Sequence, residues 1–394
     1  MNALQTVRDG WRSGADKFAR QPFFVRFLVL VLVVLLVYAL PIVRPPVITT
    51  TGTDFGGVLF TCAAFALVAL GLNIVIGYAG LLDLGYVGFY AAGAYTIGTL
   101  TSQHWHWPFF LALPLAVAVT MVTGVILGAP TLRVRGDYLA IVTLGFGEII
   151  RITVKNTNWL GASSGIKDIP HPPTIGTAPK PPFEKGGMFN IPHLQWNGLV
   201  PSIDHEHQTA VLAFGATDAI PFYWLLLTVV LLVICGDRLV KASRVGRAWE
   251  ATREDEDAAE LMGVNTFKYK LMAFALGAAI GGLAGSFLAS SQSGYISPDS
   301  FLLIYSMMFV SAVILGGAGN RWGVILGAVL VAYLPERFRG LSDFRYLAFG
   351  VALMTLAIWR PQGLLPPGRV RRVQAVEAEI EALEEGELEE GTHV

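Results

Sequence analysis

Charged residues are scarce in this chain of 394 residues, because only 14% are Asp, Glu, Lys or Arg, whereas 54% are hydrophobic. The net charge of −1 offers no basic surface for a polyanion, which argues against a nucleic-acid-binding protein. Cysteine is scarcer still: Cys62 and Cys235 both lie in apolar runs, where we expect them to pack without forming a disulfide. No GxxxxGK(S/T) stretch occurs, so the chain is not expected to hydrolyse a nucleotide itself.

Residues that could bind a metal or carry out catalysis are also few. The pairs His104/His106 and His205/His207 have a spacing that metals can use, but no further Cys or His stands at a useful interval. No grouping of Ser, His and Asp stands out either. The sequence therefore predicts surface histidines, no catalytic residue, no metal site and no cofactor.

Long apolar runs are what the chain has in abundance, and they predict an all-α polytopic membrane protein with about ten transmembrane helices. The predicted spans are 23–40, 55–76, a span that follows the glycine-rich stretch 77–93 and ends near 102, 109–129, 138–155, 221–236, 271–290, 301–315, 324–334 and 346–359. Pro41, followed by Pro45 and Pro46, is expected to close the first span, because proline interrupts helical hydrogen bonding. Gly277, Gly281, Gly282 and Gly285 form a small-residue seam that permits close contact with a neighbouring helix.

Basic residues mark the cytoplasmic side of a membrane protein. They stand before and at the start of the first span, between the fourth and fifth spans and after the tenth, at Arg8, Arg12, Lys17, Arg20, Arg26, Arg133, Arg135, Arg360, Arg369, Arg371 and Arg372. Ten spans then leave both termini in the cytoplasm. The expected domains are a cytoplasmic N-terminal segment (1–22), a transmembrane domain (23–366) with an external loop (156–220) and a cytoplasmic loop (237–270), and an acidic cytoplasmic tail (367–394).

The cytoplasmic loop from Asp237 to Lys270 holds fourteen charged residues and cannot lie in hydrocarbon. Its second half has a helical pattern, since Ala258, Leu261 and Met262 form one apolar spot. Gly263 and the residue after it are typical of a left-handed helix cap with a hydrophobic follower. From the residues alone, this helix is either a docking element on the inner membrane face or a solvated linker that sets topology.

Charges inside the apolar runs are candidates for function, because burying them in a membrane is costly. Glu148 and Arg151 stand one helical turn apart in the fifth span, which favours a structural ion pair. Asp83 lies among glycines that permit a broken helix, and the exposed backbone of such a helix could line a cavity. We therefore name Asp83, Gly80, Gly85 and Glu148 as candidates for the translocation path.

Five segments in order give a specific resemblance: GLNIVIGYAGLLDLGYVGFYAAGAY, LRVRGDYLAIVTLGFGEIIRITVKN, GRAWEATREDEDAAELMGVN, VILGGAGNRWG and IWRPQGLLP. Together they resemble the LivM-type permease subunit of bacterial branched-chain amino acid ABC importers, over roughly residues 70–366. The resemblance implies a vitamin B12 importer-like fold in the bacterial inner membrane. It also implies three kinds of partner besides the lipid bilayer: a LivH-type second permease, two ATP-binding cassette ATPase subunits and a periplasmic amino-acid-binding protein.

In such permeases a cytoplasmic motif, E-A-A-x3-G, forms the coupling helix that sits in a cleft of the ATPase. Asp257, Ala258, Ala259 and Gly263 match its spacing, with Asp in place of Glu. The resemblance thus implies that the ATPase contacts the residues Asp257, Ala258, Ala259, Leu261, Met262 and Gly263.

Two departures from the family pattern bear on the substrate. The chain has GASSGI at 161–166 where a T-G-G-x-x-G-I stretch is usual, and Asp83 replaces an uncharged residue. A permease for urea or short-chain amides shares this architecture and stays as an alternative. A proton-driven carrier or channel, in which Asp83 would titrate, is a further alternative, although it has no need of an ATPase dock.

Overall fold

The computed structural model describes residues 23–46, 48–49, 54–102, 105–132, 137–174, 190–197, 200–210, 213–215, 218–337, 344, 347, 350–351, 354–355, 358 and 363–365. Its α-helices are α1 (Phe23–Val43), α2 (Phe55–Leu72), α3 (Tyr86–Thr101), α4 (Phe109–Thr131), α5 (Asp137–Asn156), α6 (Ile220–Ala242), α7 (Arg244–Glu254), α8 (Glu256–Leu261), α9 (Thr266–Ala289), α10 (Leu303–Gly316) and α11 (Arg321–Arg337). A π-helical segment (Asn73–Tyr78) extends α2, and short 3-10 turns occupy Asn158–Leu160, Ala162–Ser164 and Pro298–Phe301.

The first nine predicted spans all coincide with helices in the described part of the chain. Five helical segments there are long and apolar enough to cross a membrane: Phe55–Tyr78, Phe109–Thr131, Ile220–Ala242, Thr266–Ala289 and Pro298–Gly316. The tenth predicted span, 346–359, lies mostly outside the described residues, and so do the N-terminal segment 1–22, the basic residues Arg133 and Arg135, and the acidic tail. The structure therefore supports a polytopic helical membrane protein, while the count of ten spans stays a prediction.

Two details of the sequence-based expectation need correction. α1 does not stop at Pro41 but continues to Val43, with the proline inside its last turn. One missing N–H near a helix end removes a single hydrogen bond, which the last turn tolerates better than a helix centre would. The sequence also did not predict β1 (Asn190–Asn197) and β2 (Val200–Ala210), which form a two-stranded sheet within the predicted external loop of an otherwise helical described chain.

The chain divides into two compact units by its internal contacts. α1 and most of the strand pair belong to one unit, and the remaining helices belong to the other. In the larger unit α2 is the central helix: its hydrophobic residues point in all directions, and most of them are buried. A helix that is apolar all round is expected in the interior of a bundle, where it contacts neighbours on several sides.

α9 packs against α2, α3 and α4, and its small residues make this possible. A Cβ atom on Gly277 would lie 2.6 Å from a Val75 methyl group, and one on Gly281 would lie 3.1 Å from the Tyr86 ring. Gly282 lies against the backbone side of Gly93 and against the Thr120 side chain, so both neighbours approach it closely. The predicted glycine seam is confirmed, and it serves three neighbouring helices rather than one.

Candidate functional site

The helix breaks between the π-helical segment and α3, in the non-helical stretch that holds Asp83. Gly80 has φ +73°, a left-handed conformation that glycine adopts without strain. Asp83 is fully buried, and its Oδ1 accepts a hydrogen bond of 2.9 Å from the amide of Gly85. Its Oδ2 is buried without a hydrogen-bond partner among the described residues. A carboxylate oxygen in this position is costly unless something in the working protein uses it.

Contacts from two other helices hold this break in place. The amide of Leu84 donates a hydrogen bond of 3.1 Å to Thr143 Oγ1 of α5, and the Leu84 carbonyl accepts one of 2.5 Å from Ser306 Oγ of α10. Gly85 lies directly against the Thr143 carbonyl, so a side chain there would collide with backbone. Gly85 is therefore required by close approach, whereas Gly80 is required by its backbone conformation.

The predicted ion pair of α5 is present. Arg151 Nε donates to Glu148 Oε2 over 2.9 Å, and a second guanidinium nitrogen contacts Glu148 Oε1. The Glu148 side chain is 39% exposed and that of Arg151 is 17% exposed, so the pair lies at the surface of this chain. No hydrogen bond or ion pair in the described part of the protein joins Glu148 to Asp83. The structure thus keeps these two candidate path residues in separate environments.

The charged stretch from Asp237 to Lys270 is an ordered arrangement of helix ends rather than an extended linker. α6 passes into α7 at Ser243, whose Oγ accepts from the amide of Val245 over 3.1 Å. Asp255 separates α7 from α8, and its Oδ1 accepts from the Ala258 amide over 2.9 Å. Asn265 begins α9 in the same way, accepting from the Lys268 amide over 3.0 Å. Each break therefore coincides with a residue type that favours a helix N-terminus.

The predicted cap of α8 is confirmed. Gly263 has φ +85°, its amide donates to the Glu260 carbonyl over 2.9 Å, and the Val264 amide donates to the Ala259 carbonyl over 3.0 Å. These two bonds define a Schellman motif, which satisfies carbonyls that the end of a helix leaves free. The cap ends α8 at Leu261, with Met262 as the next residue.

Leu261 and Met262 at the end of α8 are 88% and 85% exposed. Two adjacent large apolar side chains with this much exposure form a candidate contact surface. Asp257 and Ala258 are exposed on the same helix, but Ala259 is only 5% exposed and packs inside the chain. The expectation that Ala259 lies on the docking face is therefore wrong, because the short helix turns that residue toward its own protein. We call the exposed residues Asp257, Ala258, Leu261 and Met262 the docking face.

A cluster around Tyr78, at the end of the π-helical segment, went unrecognised in the sequence. The Tyr78 hydroxyl donates to Asp237 Oδ2 over 3.1 Å, and Arg321 Nη1 lies 3.3 Å from the same oxygen. Lys241 Nζ lies 4.9 Å from the centroid of the tyrosine ring, and the Trp249 ring stacks on it with centroids 6.5 Å apart. We call these five residues the Tyr78 junction. They give the buried Asp237 carboxylate the cationic and hydrogen-bonding partners that a buried charge requires.

Residues from other parts of the chain donate hydrogen bonds to the π-helical segment. The Arg253 guanidinium of α7 donates to the Gly77 carbonyl, and the Gly319 amide donates to Asn73 Oδ1 over 2.8 Å. Lys241 Nζ donates to the Gly319 carbonyl over 3.2 Å. A Cβ atom on Gly77 would lie 2.6 Å from the Gly319 nitrogen, so this close approach requires glycine. The segment is thus fixed by α6, by α7 and by the connection between α10 and α11.

α8 is connected to the Tyr78 junction through the start of α9. Lys270 forms an ion pair with Glu256 at the first turn of α8, and Thr266 Oγ1 donates to Glu260 Oε1 over 2.5 Å. Trp249 Nε1 in turn donates to the Tyr269 carbonyl over 2.7 Å. Described contacts therefore run from α8 through α9 and α7 to the π-helical segment.

The sequence did contain one signal for α7. Gly246, Trp249 and Thr252 are buried at helical spacing within a stretch that is otherwise charged. The contact between Tyr78 and Asp237 had no comparable signal, since 159 positions separate the two residues in the chain.

Comparison with known proteins identifies a matching family model and several relatives. The family model described as "Branched-chain amino acid transport system / permease component" matches residues 55–358. The chain is 41% identical over 308 residues to the Escherichia coli high-affinity branched-chain amino acid transport system permease protein LivM, covering 77% of this chain and 68% of that protein. The LivM protein of Salmonella typhimurium gives the same identity and the same coverage.

A shorter similarity connects the chain to a second type of permease. Identity is 30% over 142 residues to the Escherichia coli high-affinity branched-chain amino acid transport system permease protein LivH, covering 34% of this chain and 44% of that protein. No solved structure matches this chain.

Proposed function

Because the chain belongs to the family of branched-chain amino acid transport permeases, we propose that it is the subunit that lets branched-chain amino acids cross the bacterial inner membrane, driven by separate ATPase subunits. The observation that carries the ATP-driven part of this proposal is the docking face of α8. A carrier driven by an ion gradient needs no ATPase dock, and so gives no reason for two large apolar side chains to be 88% and 85% exposed at the end of a capped helix. A partner that covers Leu261 and Met262 removes this apolar surface from water, which stabilises the complex.

The proposed assembly contains this chain and three kinds of partner protein, within the lipid bilayer. A LivH-type permease completes the transmembrane unit, two ATP-binding cassette subunits bind on the cytoplasmic side, and a periplasmic protein delivers the amino acid. We assign a vitamin B12 importer-like fold with about ten spans and both termini in the cytoplasm. Residues 23–366 form the permease domain, flanked by the cytoplasmic segments 1–22 and 367–394, and 237–270 forms the coupling loop.

The external loop 156–220 is the proposed contact for the binding protein. The described parts of this loop that belong to the larger unit are held to it by backbone and side-chain hydrogen bonds. Ile166 and Ile296 form an antiparallel bridge, with hydrogen bonds of 2.9 and 3.1 Å between their backbones. The Thr174 hydroxyl accepts from the Phe214 amide over 3.2 Å, which joins the two ends of the loop.

The proposed translocation path passes the helix break at Gly80, Asp83 and Gly85. A break leaves backbone carbonyls and amides without helical partners, and such groups can line a polar passage inside a membrane protein. The unpartnered Oδ2 of Asp83 supports this placement. Glu148, already paired with Arg151, is proposed to line the path at a different level.

Reconstitution tests the proposal directly. The chain is purified with a LivH-type permease, two ATPase subunits and the binding protein, and uptake of labelled leucine is measured in proteoliposomes. We expect uptake that requires ATP, the ATPases and the binding protein, and that unlabelled isoleucine and valine reduce. Uptake driven by a proton gradient without ATPases would contradict the proposal, as would ATP-driven uptake of urea or acetamide with no competition from leucine.

A further inference from the structure

The segment Asn73–Tyr78 is π-helical, whereas the helices on either side of it are α-helical. Its i to i+5 bonds include the one from the Ala79 amide to the Ile74 carbonyl, which measures 3.1 Å. A π-turn holds one residue more than an α-turn, and such turns occur often at functional sites. Converting it to α-helix would shift the register of the residues beyond it by one, a rotation of about 100° for each residue of shift. Asp83 follows this segment after only four residues.

Three side chains contact the end of this segment, two from α7 and one from α6. Arg253 of α7 donates to the Gly77 carbonyl, and its Cγ would lie 2.8 Å from a Cβ atom on Gly80. Arg253 therefore touches both ends of the stretch 77–80. The Tyr78 hydroxyl is bound to Asp237 of α6, and its ring stacks on Trp249 of α7.

α7 and α8 are separated by Asp255 alone, so a force on α8 acts directly on the C-terminal end of α7. Arg253 lies at that end, two residues before the break. The ion pair between Glu256 and Lys270 and the bond between Trp249 and Tyr269 brace α7 and α8 together against α9. Of the α7 residues that contact the π-helical segment, Arg253 lies nearest in sequence to α8.

From these contacts we infer that Arg253 and Tyr78 are positioning residues for transport, which transmit movement of the docking helix α8 to the π-helical segment and so to the break at Asp83. The inference rests on the proposed function, because it takes α8 as the place where the ATPase acts. Substitution of a purely structural residue would change the stability of the complex without changing the amount of substrate transported per ATP.

The test compares Arg253→Gln and Tyr78→Phe in the reconstituted complex with the control Arg247→Gln. Arg247 lies on the same helix, carries the same charge and donates to the Ala242 carbonyl rather than to the π-helical segment. Three quantities are measured for each variant: ATPase subunits that copurify, ATP hydrolysed, and leucine transported per ATP. We expect both test variants to keep their ATPase subunits and to hydrolyse ATP, while leucine transported per ATP falls at least tenfold. The control should keep the wild-type ratio.

A double variant asks whether the two residues act on one element. If they do, Arg253→Gln combined with Tyr78→Phe lowers transport per ATP no further than the more severe single change, since coupled positions are not additive. Tyr78→Phe removes a single oxygen and keeps the ring, so it decides the matter should Arg253→Gln fail to assemble.

The possible failures are distinguishable. If the wild-type complex binds no ATPase subunit, the proposed function is wrong. If the wild type couples normally and Tyr78→Phe has a lower melting temperature but an unchanged ratio of transport to ATP, the residues are structural and the inference is overturned.

Discussion

The indole nitrogen of Trp249 donates a hydrogen bond of 2.7 Å to the carbonyl oxygen of Tyr269, which ties α7 to the first turn of α9. The Trp249 side chain is completely buried, so losing this bond removes a hydrogen bond from a buried indole and from a part-buried carbonyl. Such a loss costs about 1–3 kcal/mol, and the smaller ring of a phenylalanine adds a cavity.

Trp249→Phe is therefore expected to lower the melting temperature of the purified chain. Trp322→Phe is the matched control, because Trp322 is 52% exposed and a surface change typically stays within about 0.5 kcal/mol. Equal melting temperatures for the two variants would show that the bond between α7 and α9 contributes nothing.

Neighbouring alanines of α8 should respond in opposite ways to the same enlargement. Ala258→Trp places a bulky group on the docking face, so we expect fewer copurified ATPase subunits and an unchanged melting temperature of the chain alone. Ala259→Trp forces the ring into a packed site, where overpacking costs about 1–3 kcal/mol, and should lower that melting temperature. Should Ala258→Trp bind the ATPase normally, the docking face has been placed on the wrong side of α8.

Gly263 isolates the effect of backbone conformation, because a Cβ atom there would meet nothing within 4 Å. At φ +85° a β-branched residue is strained by roughly 1–2 kcal/mol, whereas asparagine enters the left-handed region more readily. We expect Gly263→Val to unwind the cap and reduce ATPase association, and Gly263→Asn to retain most of it. Copurification of the ATPase measures both, and equal losses in the two variants would point to a side-chain contact instead.

Asp83→Asn removes a charge while keeping the size of the side chain and the oxygen that accepts from the Gly85 amide. We expect the melting temperature of the complex to stay close to wild type and leucine uptake per folded complex to fall. Asp299→Asn, at an exposed position, is the control for loss of one carboxylate. If uptake per folded complex is unchanged and only stability moves, Asp83 is a structural residue of the helix break.

The sequence predicts local features of this protein well and its long-range contacts poorly. Apolar runs locate the helices, because length and hydropathy decide which segments can lie in hydrocarbon. The cap at Gly263 and the break near Asp83 follow from glycine placement, which acts within a few residues. Tyr78 and Asp237 meet across 159 positions, and nothing in either local pattern indicates that contact.

A second feature that the sequence pattern does not predict is which face of a short helix is buried. The motif at Asp257–Gly263 predicts a helix, yet six helical residues span less than two turns, and the pattern alone does not decide which alanine faces inward. In the structure α8 is bound to the start of α9, and in this orientation Ala259 is the buried alanine. Pro41 likewise predicts the end of α1, whereas the helix ends two residues later, at Val43.

The most direct measurement of the central claim, that ATPase subunits drive transport by docking on α8, is labelling of Met262→Cys with a maleimide. The variant is made in a Cys235→Ser background, since Cys235 is exposed and Cys62 is buried. Met262 is 85% exposed in the chain alone, and Trp105→Cys, at a position 57% exposed before α4, serves as the reactivity control. We predict rapid labelling of Met262→Cys in the permease alone and strong protection once the ATPase subunits are bound, with Trp105→Cys labelled equally in both. Equal labelling of Met262→Cys with and without bound ATPase would contradict the account.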